Sequence, residues 1–155
     1  MTSKNQLQSK IQELEAELQS FKQQLNTYKE ITIETASVGD VLEDGSIVLQ
    51  KSNGLALLVA PSSTEVEATW SKEFAEVFQK LKEQGFNPSQ WSVPTKEQLI
   101  LAYETIPNEF SATFYWSSTE FNATIAFFVS FYIGGACFNN KSGTLCVRAF
   151  RCVTY

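Results

Sequence analysis

The first thirty residues contain a regular seam of apolar positions. Seven apolar residues follow one another at alternating steps of 4 and 3 residues: Leu7, Ile11, Leu14, Leu18, Phe21, Leu25 and Tyr28. Gln, Glu, Lys and Ser occupy almost all of the positions between them. This spacing places each member of the seam at position a or d of a heptad, which predicts a coiled coil. A helix packed on its own domain is the alternative, but such a helix usually has a wider apolar face.

The residue types of the seam favour a parallel trimer. Leu, Phe and Tyr occupy the d positions, whereas dimers favour Ile or Val at a with Leu at d. Bulky aromatic rings at d need a wider core than a dimer provides. Four charged residues flank the seam and are expected to set its register: Lys10, Glu15, Glu17 and Lys22. Residues 1–30 are therefore predicted to hold a homotrimer together, and the β-branched residues of 31–37 predict a short strand or linker.

Residues 38–155 combine strand patterns with two helix patterns. The turn sequences Asp44-Gly45 and Asn53-Gly54 separate three apolar runs, which predicts a three-stranded meander whose last strand is central. Apolar residues at helical spacing follow the candidate caps in Thr69 to Ser71, and they predict a helix that stops at Gly85.

The second half of this region repeats the mixture of helix and strand. Thr95 to Gln98 has the sequence of a capping box and predicts a second helix. Ile125 to Ile133 reads as a continuous apolar strand that Gly134-Gly135 turns back. A polar turn at residues 139–143 then precedes a final strand from Thr144 to Val153. Two helices between two groups of strands predict an α+β fold.

Aromatic residues are concentrated in the second half of the chain. Ten aromatic side chains fall between Phe110 and Phe138, and Ser, Thr and Asn lie among them rather than acids or bases. Hydrophobic residues make up 43% of the 155 residues, which is enough for one real core. The surplus of rings favours a surface that binds over one that reacts.

The charge of the chain narrows the range of partners. Its formal net charge is −5, and Lys and Arg are not clustered, which argues against a nucleic-acid partner. The N-terminus lacks the apolar segment of a signal peptide, and no window is apolar enough to span a bilayer. The sequence predicts no membrane insertion and synthesis as a soluble cytoplasmic product.

The residue types needed for catalysis or metal binding are scarce. The chain has no histidine and three cysteines, Cys137, Cys146 and Cys152, without metal-site spacing. These cysteines are expected to be buried thiols, and a Cys137–Cys146 disulfide is the alternative. No Gly-x-Ser-x-Gly sequence, phosphate-binding glycine loop or recognisable carboxylate pair is present. The sequence therefore predicts a protein that is not an enzyme and has no metal or other cofactor.

Several separated motifs occur in order between Val38 and Val153. They are Thr69-Trp70, Gly85, Trp91-Ser92-Val93-Pro94-Thr95, Glu97, Leu99, Tyr115-Trp116-Ser117-Ser118-Thr119-Glu120, Phe131, Gly134 or Gly135, Asn140-Lys141 and Val147-Arg148-Ala149-Phe150-Arg151. Together they resemble the C-terminal domain of the collagen-like Lcl adhesins. The resemblance implies a C-type-lectin-like fold, related in shape to the formylglycine-generating enzymes and to the variable proteins of diversity-generating retroelements. Members of the family act as ligand-binding tips, often trimeric, of adhesins and phage tail fibres.

The chain departs from this family at several positions. The family usually has Trp-Arg-Leu-Pro-Thr where this chain has Trp91 to Thr95, so Ser92 removes a guanidinium and any salt bridge it makes. A cysteine of the first family helix is absent, and Arg148 to Arg151 replaces the commoner Arg-x-Val-Arg. The Glu-Pro-Asn and Trp-Asn-Asp patterns by which many C-type lectins bind calcium and sugar are also missing.

Some of the matching residues are expected to build the fold rather than to bind a ligand: Trp70, Trp91, Pro94, Trp116, Glu120, Arg148 and Arg151. An arginine between apolar neighbours needs a partner. We therefore expect Arg148 and Arg151 to anchor Glu120 and another acid inside the fold.

The candidate ligand-binding residues lie where aromatic and polar side chains are not needed for packing: Phe121, Asn122, Thr124, Tyr132, Phe138, Asn139, Asn140 and Lys141. Rings beside amides and hydroxyls suit stacking on a sugar or the centre of a protein interface. The alternative is that Phe121 and Phe138 complete the core and the Asn139-Asn140 pair only forms a turn.

The expected function is that of a trimeric receptor-binding protein. It would be a phage tail fibre or tail-tip component, assembled into a virion, that recognises a host-surface glycan or protein. Contacts with other virion tail proteins are part of this expectation. The alternatives are a structural or assembly role in the tail and a ligand-binding protein diversified by a retroelement.

Overall fold

A computed structural model describes residues 3–27 and 32–155 of the chain. The chain divides into two units, Met1–Glu30 and Ile31–Tyr155. Within the described residues, no helix combines the length and the apolar character needed to cross a membrane.

The described residues of the first unit form one helix, α1, over Lys4–Thr27. Ser3 and Gln6 form a reciprocal cap at its start, since each backbone amide donates to the other side chain. The seam lies on the surface of this helix, with Leu14 52% exposed and Phe21 64% exposed. Tyr28 lies outside the described residues, as does the side chain of Leu25. A single helix cannot bury this apolar stripe by itself, and a coiled coil would need further copies of the chain. The coiled coil therefore remains a prediction.

The second unit contains two α-helices, three short 3₁₀ helices and eight strands within residues 32–155. The α-helices are α2 (Ala75–Glu83) and α3 (Lys96–Thr105). The strands are β1 (Ile47–Ser52), β2 (Leu55–Val59), β3 (Val66–Thr69), β4 (Phe114–Glu120), β5 (Ile125–Ser130), β6 (Ala136–Asn140), β7 (Thr144–Val147) and β8 (Phe150–Thr154). With α1, the described residues form the mixed α+β structure that the sequence predicts.

The strands are arranged in two sheets. One sheet has the order β1-β2-β8 and is antiparallel, so β2 is its central strand as predicted. The other has the order β3-β7-β4-β5-β6, with β4 and β7 parallel at one bridge. β6 is therefore an edge strand, and all five of its residues are exposed.

Two apolar clusters hold the sheets and helices together. The first joins α3 to both sheets, and it includes Leu99, Tyr115, Val129 and Phe150. The second joins α2 to the five-stranded sheet, and it contains all three tryptophans, Trp70, Trp91 and Trp116. The indole nitrogens of Trp70 and Trp116 donate to backbone carbonyls, so their burial leaves no polar atom unsatisfied.

The start of α3 forms as the sequence predicts. Thr95 accepts a hydrogen bond from the Gln98 amide, and the Gln98 side chain accepts one from the Thr95 amide. Pro94 directly before this cap is buried, and its carbonyl accepts from the Ser118 amide. The Pro94 carbonyl therefore joins the start of the helix to β4.

The prediction for the first helix is wrong at its start. Residues Val66–Thr69 form β3 and pair with β7, so the helix begins only at Ala75. The intervening turn is closed by Ser71, whose hydroxyl accepts from the Phe74 amide, and Phe74 has φ +43°. Periodicity could not separate the two elements because Trp70 and Phe74 serve the same cluster.

The predicted meander has two strands rather than three. Val41 makes only an isolated bridge to Ile47, because Asp44 closes a tight turn onto Ser46. The third strand of this sheet is β8, from the far end of the chain, which occupies the other edge of β2.

The segment predicted as a linker is packed on the domain in its described part, residues 32–37. It forms a turn rather than a strand, and Ala36 is 4% exposed against the three-stranded sheet. The Lys51 ammonium donates to the carbonyls of Ile33, Glu34 and Ala36. Those contacts fix the segment to the domain.

The strands predicted near the C-terminus are shorter than expected. β5 ends at Ser130 because the chain turns there, and the Gly134 amide donates to the Ser130 carbonyl. Gly134 has φ +80°, and a Cβ at this position would lie 2.1 Å from the Tyr103 ring. The final predicted strand is broken at Arg148 and Ala149, where the chain passes from one sheet to the other.

The cysteines are free thiols, but the expectation that they are buried is wrong for two of them. Cys137 and Cys152 are exposed because they lie on strands at the sheet edges, and Cys146 is intermediate. The alternative Cys137–Cys146 disulfide is not formed.

We expect iodoacetamide to alkylate Cys137 and Cys152 of the folded protein before Cys146. Burial raises the pKa of the Cys146 thiol, so it has less of the reactive thiolate and less access to the reagent. Mass spectrometry should show two additions preceding the third, and urea should make all three equivalent. Equal rates in the folded protein would contradict this placement.

Candidate ligand-binding surface

A buried arginine holds together the part of the domain that carries the candidate surface. The Arg148 side chain is fully buried at the passage between the two sheets, and it donates to the carbonyls of Ala60 and Glu109. It also lies 3.3 Å from the Glu65 carboxylate, with its guanidinium over the Phe110 ring. Three separate chain segments therefore meet at this one side chain.

Tyr115 completes the arrangement around Glu65. Its hydroxyl donates to the carboxylate at 2.7 Å and accepts from the Ser111 amide. Burial, together with the bond to Glu65, raises the pKa of Tyr115 above its ordinary value. Burial lowers the pKa of Arg148, and the nearby Glu65 charge opposes that change. This network is structural, because its groups are turned to one another inside the domain.

The expected partner of the arginines is wrong. Glu120 accepts from the Lys141 ammonium at 2.9 Å and lies 3.9 Å from that of Lys72, and Arg148 pairs with Glu65 instead. The hydrogen bond from Lys141 lowers the pKa of Glu120. Glu120 lies at the end of β4, beyond the irregular part of the pairing with β5, and this position is away from Arg148. Only the tertiary structure decides that placement.

The hydroxyl-rich motif after Trp116 makes hydrogen bonds within the domain. The Ser117 hydroxyl donates to the Phe127 carbonyl and accepts from the Thr119 amide. The Thr119 hydroxyl accepts from the Lys96 amide at the start of α3. Through these hydrogen bonds, the motif holds β4, β5 and α3 in place.

Two exposed phenylalanines and one half-buried phenylalanine form a group that we call the phenylalanine patch. Phe121 and Phe138 stack with ring centroids 5.2 Å apart and an interplanar angle of 11°. Phe127 meets both rings edge-on, at 5.8 and 6.2 Å. Phe121 is 56% exposed and Phe138 is 58% exposed. The alternative that these two residues complete the core is therefore wrong.

The patch is held by regular structure. Phe127 and Phe138 are direct cross-strand partners on β5 and β6, and Phe121 follows the end of β4. The Lys96 ammonium lies 4.1 Å from the centroid of the Phe127 ring, which places one cation at the margin of the patch. A rigid sheet thus presents an apolar surface with a cationic border.

The polar candidates around the patch mainly build turns. Asn122 accepts from the amides of Thr124 and Ile125 and from the Thr124 hydroxyl. Asn140 accepts from the amide and hydroxyl of Ser142, and Asn139 accepts from the Asn140 amide. The alternative that the asparagine pair forms a turn matches these contacts. Their amide nitrogens face no protein partner within the described residues.

The remaining two candidates have other contacts. Lys141 is held by Glu120, by the Ala123 carbonyl and by the Trp70 ring, 4.4 Å from its ammonium. Tyr132 packs against Phe114, which also contacts Phe128. Because successive residues of a strand point to opposite faces, Phe128 lies on the face opposite Phe127. The single predicted surface is therefore divided between two faces of the sheet.

Sequence reasoning missed Phe127 and Lys96. The apolar run from Ile125 to Ile133 hides which ring faces outwards, and a two-residue turn at Gly134-Gly135 would pair Phe138 with Phe131. The observed register pairs Phe138 with Phe127 instead. Lys96 comes from a distant helix, and no local signal places it beside the patch.

The arrangement is suited to binding by contact. Exposed rings at fixed positions stack on the apolar face of a sugar or on apolar side chains with little loss of conformational freedom. Within residues 3–27 and 32–155, no group of three or more Cys, Asp or Glu side chains could hold a metal ion. No protein-family model matches this sequence, and no curated protein matches it.

Proposed function

We propose that the chain is a trimeric receptor-binding protein that binds its ligand through the phenylalanine patch and catalyses no reaction. The observation that carries this proposal is the pair of stacked, exposed rings of Phe121 and Phe138 on a rigid sheet. Exposed apolar groups of this kind on a folded domain mark interaction sites. The ligand class is a host-surface glycan or protein.

We further propose that the second unit has a C-type-lectin-like fold of the type found in the C-terminal domain of Lcl adhesins. The support is the order of sequence motifs together with a mixed α+β unit in which Arg148 and the three tryptophans are buried. The same resemblance supports a place in a phage tail fibre or tail tip, assembled into a virion.

The first unit supports the proposal through avidity. The seam of α1 is more than half exposed at Leu7, Ile11 and Leu14, and further copies of this chain would cover it. A trimer would present three patches together, and linked sites gain about 10² to 10⁴ in apparent affinity when the geometry permits simultaneous contact. A weak site on one domain would then be sufficient for attachment to a cell.

We expect Phe121→Ala and Phe138→Ala to abolish most binding without unfolding the domain. Each change removes an exposed ring, and loss of an aromatic contact at a binding site costs about 2 kcal/mol or more, roughly 30-fold in affinity. The measurement uses the full chain on a glycan array and on intact bacterial cells, with melting temperature as the check of folding.

Tyr132→Ala is the matched control, because it removes a ring that is 63% exposed on the other face of the sheet. Binding that survives both phenylalanine changes but disappears in the Tyr132 variant would move the site to that face. Absence of binding by the wild-type trimer to any cell or glycan would contradict the proposed function.

A second candidate, an assembly role in the tail, is favoured by one observation. Phe114, Tyr132 and the adjacent Ile133 are exposed by 39%, 63% and 78% on or near the face opposite the patch. An apolar region of this kind suits attachment to another virion protein. This role predicts that Ile133→Ser prevents incorporation into particles while cell binding by the free protein is unchanged.

A further inference from the structure

A cleft in the second unit is lined by one arginine and one carboxylate that form no ion pair within the described part of the chain. It has a volume of about 660 Å³ and lies among the loops that follow β2 and α2 and precede β1 and α3. Arg151 and Asp44 both line it, and so do the aromatic residues Phe86 and Trp91. None of these residues belongs to the phenylalanine patch, so the cleft is independent of the proposed function.

Arg151 is the feature of the cleft that the fold does not explain. It was expected to anchor an acid, but within the described residues its guanidinium has no hydrogen-bond or ion-pair partner. Its backbone is fixed, because β8 pairs with β2 at Leu58 and the neighbouring Phe150 exchanges two backbone hydrogen bonds with Ser92. The guanidinium is therefore presented from a rigid strand beside the wall formed by Trp91.

Asp44 supplies the opposite charge at a fixed place. Its Oδ1 accepts from the amide and the hydroxyl of Ser46, which orients the side chain. Oδ2 has no protein partner among the described residues, and Arg151 lies beyond the 4.0 Å limit of an ion pair with it. The cleft thus separates a cation from an anion instead of joining them.

The walls between the two charges are partly apolar. Phe86 and Trp91 meet edge-on with centroids 5.6 Å apart, and Pro61 contributes on another side. The Gln90 side chain also lines the cleft and offers an amide. An isolated anion would gain from Arg151 but would be repelled by Asp44, whereas a ligand with both charges satisfies both groups.

We propose that this cleft binds a zwitterionic α-amino acid with an apolar side chain. Its carboxylate pairs with the Arg151 guanidinium, whose planar donors match a carboxylate. Its ammonium group is accepted by Oδ2 of Asp44, and its side chain lies against Phe86 and Trp91. The volume is sufficient for one such molecule, and small-ligand sites typically combine apolar walls with a few fixed polar groups.

The test is a titration of the full chain with three related compounds, followed by ¹H–¹⁵N NMR and calorimetry. L-phenylalanine carries both charges, N-acetyl-L-phenylalanine lacks the ammonium group and L-phenylalanine amide lacks the carboxylate. We expect saturable shifts at the amides of Asn87 and Gln90 for L-phenylalanine, and binding about tenfold weaker for each of the other two. The affinity should fall as the salt concentration rises.

Two variants assign each charge to its group. Arg151→Gln should weaken L-phenylalanine and the N-acetyl compound about tenfold and leave the amide compound unchanged. Asp44→Asn keeps the Ser46 contacts and should weaken L-phenylalanine and the amide compound while leaving the N-acetyl compound unchanged. Lys72→Gln, which removes a positive charge outside the cleft, should change none of the three affinities.

The outcomes separate the proposal from its competitors. No saturable shift with L-phenylalanine overturns it, and so does equal binding of all three compounds. Binding of the N-acetyl compound as tight as that of the zwitterion would make the cleft a simple anion site. If Arg151→Gln fails to fold, titration of the Asp44→Asn variant with the same three compounds still tests the proposal. The titration should give the same result in the Phe138→Ala variant, whether or not that variant binds cells. Failure of one proposal is therefore distinguishable from failure of the other.

Discussion

Replacing Arg148 with Ala should lower the free energy of unfolding of the second unit by about 3–5 kcal/mol. For a domain of this size that is a fall in melting temperature of about 10 °C. The change removes every donor that serves the carbonyls of Ala60 and Glu109, and it leaves the Glu65 carboxylate, 17% exposed, without its cation. Thermal unfolding by circular dichroism, with tryptophan fluorescence for the core, measures the effect.

The physical reason is the cost of an unpaired buried charge. Within the fold, Glu65 accepts from Arg148 and from the Tyr115 hydroxyl, so removing the arginine leaves the carboxylate beside a single donor. The side chain also joins the segments at Ala60, Glu109 and the β7–β8 passage. Its loss therefore loosens the connection between the two sheets as well as a single contact.

Arg151→Ala is the internal control, because the same substitution is made three residues further along the chain. Arg151 has no ion-pair partner among the described residues, so we expect a change within about 0.5 kcal/mol. A stable Arg148→Ala variant that loses ligand binding would contradict the structural assignment and make Arg148 part of a site.

Replacing Leu14 with Glu should convert the proposed trimer to a monomer. Leu14 lies in the middle of the seam, and a carboxylate there would be repeated in every strand at the core of the coiled coil. Sedimentation equilibrium should give three times the chain mass of 17.4 kDa for the wild type and the single mass for the variant. Cell binding by the proposed receptor site should fall by about 10² or more with the loss of avidity.

Ala16→Glu introduces the same carboxylate two residues away, at a heptad position outside the seam, and should leave the mass unchanged. A wild-type chain that is monomeric at micromolar concentration would contradict the coiled-coil prediction. A dimer would contradict only the assignment of oligomer number, which depends on the aromatic residues at d, Phe21 and Tyr28.

The sequence predicts local elements well where a local interaction fixes them. The capping box of Thr95 and Gln98 forms as expected, and Gly85 ends α2 with φ +87°. The start of α2 and the final strand were misplaced, because sheet pairing decided them. β3 takes its partner from β7, and the chain switches sheets at Arg148 and Ala149.

The candidate site also combines features that the sequence predicts with features that only the tertiary structure decides. Phe121 and Phe138 were identified from composition, and the structure brings their rings together. The sequence groups Tyr132 and Lys141 with them, but Tyr132 packs on the other face of the sheet and the Lys141 ammonium is held by Glu120. Alternation along a strand and a salt bridge across 21 residues are both invisible in a list of residue types.

The sequence by itself determined the seam of α1, the mixed helix and strand composition and the surplus of aromatic rings. Those features depend on local periodicity and on residue type, which the chain states directly. Only the tertiary structure decided that Glu65 is the partner of Arg148, that Arg151 has none among the described residues and that Phe127 joins the patch. Pairing between residues that are far apart in the sequence depends on how the two sheets pack around buried groups. That packing involves the whole unit.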